Sequence, residues 1–537
     1  MAHFMCTACG EERHFSVESP SIPCASWRNK GPHCPLCIRI KPLKDRIAQT
    51  RAFMAHLEAH CATIMSGINT FHDPFTALLP TELASRILGF CVDSEHDTEI
   101  QVPLALSAVS KRWRAIARST PSLWASIPLR LNRSLLMRSW YEEMLRAILQ
   151  LSEKKPFSIN INIKNSDRGD PMPAQFYRSM ETLNAHWYHC RDLSMEMPLH
   201  LLNTLRGDSR GAPALRYLSI HINDSADNED IHQTAKLDLG APLPAPDTIC
   251  LSSYNSSCGF DRISVDWRNV TNASLSGSQI HKCHALFMAA PQLRECRLRS
   301  VVGSDSNGGA IHPNTRIIHT HLTELHVQIF ADETSLFFEP LSFPSLKILA
   351  CETTDQSLDP LSSFLIRSSC PITSLAIAEL HEDTMAVDQD AFLNLLRSVP
   401  TLEELKIYGI PPCRNFFEML SDNKENSARE QGHFLPLLTR LTFDQKAISF
   451  DIPWPEVCVA VKARASRDRA GRGMGVLQQF CWSVANHDGW HGYYNIDQGS
   501  LKVFEQLIAD GLDIRLIREG EDIVLYSIAH SDSLYGK

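Results

Sequence analysis

One short unit recurs along the chain from Pro213 onward: a proline or polar residue, then Leu-x-x-Leu-x-apolar. It reads PALRYLSI from Pro213, PQLRECRL from Pro291, PSLKILAC from Pro344, PTLEELKI from Pro400 and PLLTRLTF from Pro436. Looser copies are HLTELHV from His321 and PITSLAI from Pro371. Within each copy the second leucine position and the apolar residue after it fall two residues apart, the period of a strand with one buried face. Between copies lie helical stretches such as QIHKCHALFMAA, LSSFLIRSSC and DAFLNLLRSV. A single strand-helix unit cannot cover both of its apolar stripes, whereas stacked neighbours complete a continuous core. The pattern therefore predicts an α/β solenoid rather than a single compact α/β domain.

The layout resembles an irregular leucine-rich-repeat array. The starts at Pro344, Pro371, Pro400 and Pro436 are 27, 29 and 36 residues apart, and the asparagine that usually closes the strand loop of that family is absent. A weaker strand-like copy, PFSININI from Pro156, precedes the clear ones. From Asp451 an Arg-rich loop, the core-like VLQQFCWSV and a helix in LKVFEQLIADG read as a terminal cap. Residues 150–537 are expected to form this domain.

Residues 76–127 carry a different signature. Apolar positions recur at helical spacing at Leu83, Ile87 and Leu88, then at Leu104, Leu106 and Val109, then at Trp113, Ile116 and Ala117. Pro80 suits a helix start, Ser110 an N-cap and Pro121 a stop. So small a three-helix unit buries only about 60% of its surface, which implies cover from a partner.

Leu79-Pro80, Glu82-Leu83, Ile87-Leu88, then Leu106, Val109 and Ser110, Trp113-Arg114, Ile116-Ala117 and Thr120-Pro121 with Leu123-Trp124 together resemble an F-box, with a polar insert from Asp93 to Gln101. The resemblance implies docking on the Skp adaptor of a cullin-RING (SCF-type) ubiquitin ligase, with Leu79, Pro80, Ile87, Leu88, Val109 and Trp113 as the contacts. The whole architecture is similar to that of the large F-box families of mushroom-forming fungi.

Ahead of this segment, residues 42–72 predict an amphipathic connecting helix. Leu43, Ile47, Met54, Leu57, Cys61, Ile64 and Ile68 step by threes and fours, with Thr50 filling one gap. Thr50 and Cys61 interrupt the seam, so packing along the neighbouring elements is expected in place of a strong homodimer. His56 and His60 lie one turn apart, but the glutamate between them is not in the position of a metalloprotease motif, and they read as exposed helix histidines.

Residues 1–41 contain Cys6-Thr-Ala-Cys9 and Cys34-Pro-Leu-Cys37. Two Cys-x2-Cys knuckles suit four thiolates around one tetrahedral zinc, a closed structural site with no open position for catalysis. Cys6, Cys9, Cys34 and Cys37 are therefore candidate ligands of a zinc ribbon-like knuckle, with His14, Cys24 and His33 as spare donors.

Seventeen cysteines, an odd number, scattered over 537 residues without a secretory leader argue for reduced thiols in the cytosol or nucleus. The formal net charge of −9 repels polyphosphate, which leaves only local basic stretches, Arg28 to Arg51 and Lys462 to Arg472, for nucleic acid. No apolar run reaches the length of a membrane span. Gly471 to Gly475 reads as a loop, and no hydrolase, kinase, nucleotide-loop or zinc-protease motif occurs. The expected role is that of a non-catalytic substrate receptor, which holds the adaptor at one end and a protein client on the repeats. The alternative is a zinc-dependent nucleic-acid-binding or transcription-associated scaffold.

Overall fold

The structure is a computed structural model that describes residues 3–5, 12–14, 35–71, 75, 78–91, 101–131, 138, 140–152, 155–163, 172–223, 235–253, 262–303, 316–330, 333–354, 357–379, 388–410, 413–421, 433–446, 452–466, 474–485, 496–518 and 521–522. The chain divides into two units. One comprises Met1–Ser94 and Gln101–Ser119, the other Glu95–Ile100 and Thr120–Lys537.

The larger unit is α/β, built on one 15-stranded sheet in which neighbouring strands follow one another in sequence. The sheet is parallel from the strand Ser126–Leu131 to the strand Asp513–Arg518, and only the final two-residue strand, Glu521–Asp522, pairs antiparallel. Parallel neighbours require a crossover between them. Helices supply most crossovers, including Trp140–Ser152, Ala174–Asn184, Ile280–Ala289, Asp359–Ser368, Gln389–Arg397 and Trp454–Ala465. The order is compatible with a solenoid.

Register explains why the repeat is written in leucines. Ile159, Leu193, Leu218, Ile249, Ala273, Cys296, Leu325, Leu349, Leu375, Leu405, Leu441, Phe480 and Ile514 stand side by side across thirteen strands. All of them are buried, as is the second ladder two residues on, from Ile161 to Leu516. Each buried aliphatic side chain contributes about 1.5–3 kcal/mol of transfer free energy, so the ladders form the spine of the fold. Towards the carboxyl end aromatic rings fill the layer between sheet and helices. Phe443 packs on Trp482 at 4.7 Å between ring centroids, and Trp454 on Trp482 at 5.3 Å.

Two expectations for this unit change. Its contacts begin at Thr120 rather than at residue 150. Leu123 and Trp124, in the short helix Pro121–Trp124 that touches the helix Trp140–Ser152, are 0% and 3% exposed and so belong to this core. The stretch read as a terminal cap continues the sheet, because Gln479–Ala485 pairs in parallel with Arg440–Lys446 and then with Asp513–Arg518.

In the smaller unit His3–Met5 and Glu12–His14 form an antiparallel pair, His3 opposite His14. Helix α1 runs from Pro35 to Phe71, 37 residues with Pro42 inside, and starts before the expected boundary because Pro35 is favourable at a first helical position. Three shorter helices follow: α2 (Thr81–Phe90), α3 (Gln101–Val109) and α4 (Lys111–Arg118). Ser110 caps α4 by accepting the Trp113 amide at 3.1 Å. Helix α4 touches both α2 and α3, with Ala84, Leu88, Ile116 and Ala117 buried. Among the described residues no helix is long and apolar enough to cross a membrane.

Candidate functional site

Helix α2 presents two faces. Ala84 and Leu88, one turn apart, are 0% and 1% exposed and point into the small bundle. Leu83, Ile87 and Phe90, at the i, i+4 and i+7 positions of the adjoining stripe, are 46%, 41% and 68% exposed. Leu78 before the helix and Leu104 and Val109 on α3 are exposed as well. Single exposed apolar residues are ordinary, but six within one small bundle make a surface that water solvates poorly.

The six positions expected to meet an adaptor separate accordingly. Ile87, Val109 and Pro80 are exposed, and Leu79 is half-buried. Trp113 is half-buried with its ring 4.9 Å from that of Phe75. Leu88 lies inside, where it supports the bundle and offers no surface. Leu78, Leu83, Phe90 and Leu104 are the exposed apolar side chains that the expected set left out, although Leu83 and Leu104 already stood in the helical stripes.

The second candidate surface is the open face of the sheet. Residues that alternate with the buried ladders are polar or small: Asn160, Ser194, Ser219, Cys250, Ser274, Arg297, His326, Ala350, Ala376, Lys406, Thr442, Cys481 and Arg515 occupy one row. Side chains bond from strand to strand. Asp192 accepts from the Ser158 hydroxyl at 2.6 Å and Glu295 from the Asn272 amide at 2.7 Å. Arg297 bridges Glu295 at 2.7 Å and Glu324 at 3.7 Å. Burial pushes the Glu404 carboxyl up, but the hydrogen bond from Ser374 and the charges of Lys406 and Arg440 outweigh it and hold the group below its usual range. Between these charged rungs Ala350, Ala376 and Ala378 leave a shallow apolar floor. Such a face offers paired ionic and hydrogen-bonding groups across neighbouring strands.

No family model matches the chain, and no curated protein does either.

The candidate zinc residues Cys6, Cys9 and Cys34, and the side chain of Cys37, lie outside the described residues. The strand pair His3–Met5 and Glu12–His14 flanks Cys6 and Cys9 in sequence, and Cys37 falls in the first turn of α1. Among the described residues no cluster of three metal-binding side chains occurs, and His56 and His60 are both exposed on α1.

Of the two basic stretches, Arg39, Lys41, Lys44, Arg46 and Arg51 are exposed on α1, whereas Arg464 is fully buried. Gly475, from the glycine-rich loop, donates its N–H to the Pro436 oxygen at 2.8 Å. A Cβ there would lie 2.5 Å from the Leu437 oxygen, so close backbone approach accounts for the glycine.

Proposed function

We propose that the chain is the substrate receptor of an SCF-type ubiquitin ligase. Its F-box-like helices α2, α3 and α4 would dock on the Skp adaptor, and its leucine-rich-repeat-like sheet would hold a protein client. The observation that carries this reading is the exposed apolar set Leu83, Ile87, Phe90, Leu104 and Val109 on a bundle whose own core is already filled by Ala84, Leu88, Ile116 and Ala117. A partner that covers those side chains recovers roughly 25 cal/mol for each Å² of apolar surface removed from water.

In this reading the chain performs no chemistry. It raises the local concentration of client lysines near the ubiquitin-charged enzyme, an effect of tethering. A structural zinc at Cys6, Cys9, Cys34 and Cys37 would fix the amino-terminal segment by coupling metal binding to folding. Metal analysis of the purified chain should then give about one zinc per chain, lost in the Cys6→Ser and Cys34→Ser variants.

Co-purification with the Skp adaptor tests the docking. Ile87→Glu and Val109→Glu change exposed side chains, so the fold should survive and adaptor capture should fail. Capture unaffected by both changes sinks the proposal. Binding through the basic residues of α1 to nucleic acid would instead weaken steeply with salt, which an apolar adaptor interface does not.

A further inference from the structure

The seam of α1 is uncovered. Leu43, Ile47, Met54, Leu57, Ile64 and Ile68 are between 44% and 57% exposed, and Thr50 and Cys61, which complete the alternation of threes and fours, are exposed too. Within its own unit the helix touches α4, yet these side chains stay exposed. From Leu43, just past Pro42, to Ile68 the stripe holds its register for nearly four heptads, the length at which a heptad pattern specifies a coiled coil. Thr50 also satisfies its own hydroxyl by donating to the Arg46 oxygen at 2.9 Å, so its presence in an apolar seam leaves no donor stranded.

We infer that α1 pairs with α1 of a second copy of the chain, and that the two helices run antiparallel. The pairing places Leu43 opposite Ile68 of the second copy, Ile47 opposite Ile64, Thr50 opposite Cys61 and Met54 opposite Leu57, and the two-fold axis repeats each layer.

Charge selects the direction. In a parallel pair the residues flanking the seam would set Arg39 against Lys44 and Arg46 against Arg51 of the second helix, so two-fold symmetry gives four like-charge contacts. In the antiparallel pair Arg51 meets Glu58 of the second copy, twice. Lys44 lies beside Met65, and Phe53, itself 60% exposed, beside His60. No like charges face each other, and the apolar Phe53 and Met65 gain cover. The inference is independent of the adaptor-docking reading, which concerns α2 and α3.

Sedimentation of the full-length chain tests it. The chain should be a dimer at micromolar concentration, and Leu57→Glu and Ile64→Glu, on exposed positions, should give monomers with the melting transition of the repeat unit unchanged. Arg51→Glu should raise the dimer dissociation constant on the order of tenfold, because two favourable contacts become repulsive. The double variant Arg51→Glu with Glu58→Arg should return it to near the original value. A monomeric wild-type chain, as expected if the stripe serves a different protein, overturns the inference. So does an assembly of three or more copies, or a dimer indifferent to Leu57→Glu and Ile64→Glu. Tighter association of Arg51→Glu would mean a parallel pair and overturns the direction.

Discussion

Arg464 donates from Nε to the backbone oxygen of Leu420 at 2.7 Å, from a side chain with no solvent exposure. Leu420 ends the helix Arg414–Leu420, where carbonyl oxygens lack helical partners, and the guanidinium supplies the missing donor. The same fork reaches the oxygens of Leu435, at 2.8 Å, and Phe434. Leu435 holds a left-handed backbone with φ 45°, and Arg464 thus fixes the turn that leads into the strand Arg440–Lys446. Arg464→Met should destabilise the chain by roughly 2–3 kcal/mol, since it strands the Leu420 and Phe434 oxygens in the interior, while the Leu435 oxygen keeps the Leu438 amide at 3.3 Å. Arg464→Lys should recover only part of this, because an ammonium lacks the planar fork. Denaturant midpoints of the two variants check both statements.

The alternation along one strand gives a sharper contrast between neighbours. Leu405 is 0% exposed in the ladder, while Lys406 points to the open face and bridges Glu404 at 3.1 Å. Leu405→Ala should cost about 2–5 kcal/mol by opening a cavity. Lys406→Ala should cost under about 1 kcal/mol, as a half-exposed ion pair contributes little. Equal shifts in the midpoints of the two variants would contradict the assigned register.

The strands with an overt Leu-x-x-Leu were legible because their own sequence carries the buried period. Those at Cys190–Met197, Thr248–Ser253 and Asn272–Ser276 were not. Each has a single leucine, the last two are rich in serine, and the place of each is fixed by the ladders on either side: Ala273, a weak strand former, sits between Ile249 and Cys296. The stripe on α2 was legible as a period but not as a division between faces. Leu88 and Ile87 are adjacent in sequence, and only the position of α4 decides that Leu88 is covered while Ile87 is not.

Thiol reactivity should follow the burial pattern. Cys283 and Cys351 are buried in the sheet unit, and burial pushes both thiols up to about 12, so almost no thiolate is present at neutral pH. Cys91, at the end of α2, is exposed. Alkylation of the native chain mapped residue by residue by mass spectrometry should label Cys91 quickly, and should label Cys283 and Cys351 only after denaturation. Rapid native labelling of Cys351 would mean that the ladder around it opens readily.

Two buried histidines predict how stability depends on pH. His319 is 3% exposed, its Nδ1 accepts the Leu322 amide at 3.2 Å, and its Nε2 lies 3.0 Å from the Ala290 oxygen, so the ring is neutral with the proton on Nε2. His284 is 4% exposed with Nε2 2.9 Å from the Phe337 oxygen. Burial lowers both pKa values below the ordinary 6.5, partly opposed by these carbonyl contacts, and neighbouring His321 and His281 add to the lowering. A base whose folded pKa is depressed binds protons more readily when unfolded. Its contribution to stability is therefore fully present above about 6.5 and declines as the pH falls below that value, levelling off only under the folded pKa. Protonation of His319 at Nδ1 would also break its bond with the Leu322 amide. The melting temperature should thus fall between pH 7 and about pH 5, and His319→Gln, which removes the titrating ring, should reduce the slope of that fall while lowering stability at neutral pH. An unchanged slope in His319→Gln would show that the acid limb arises elsewhere.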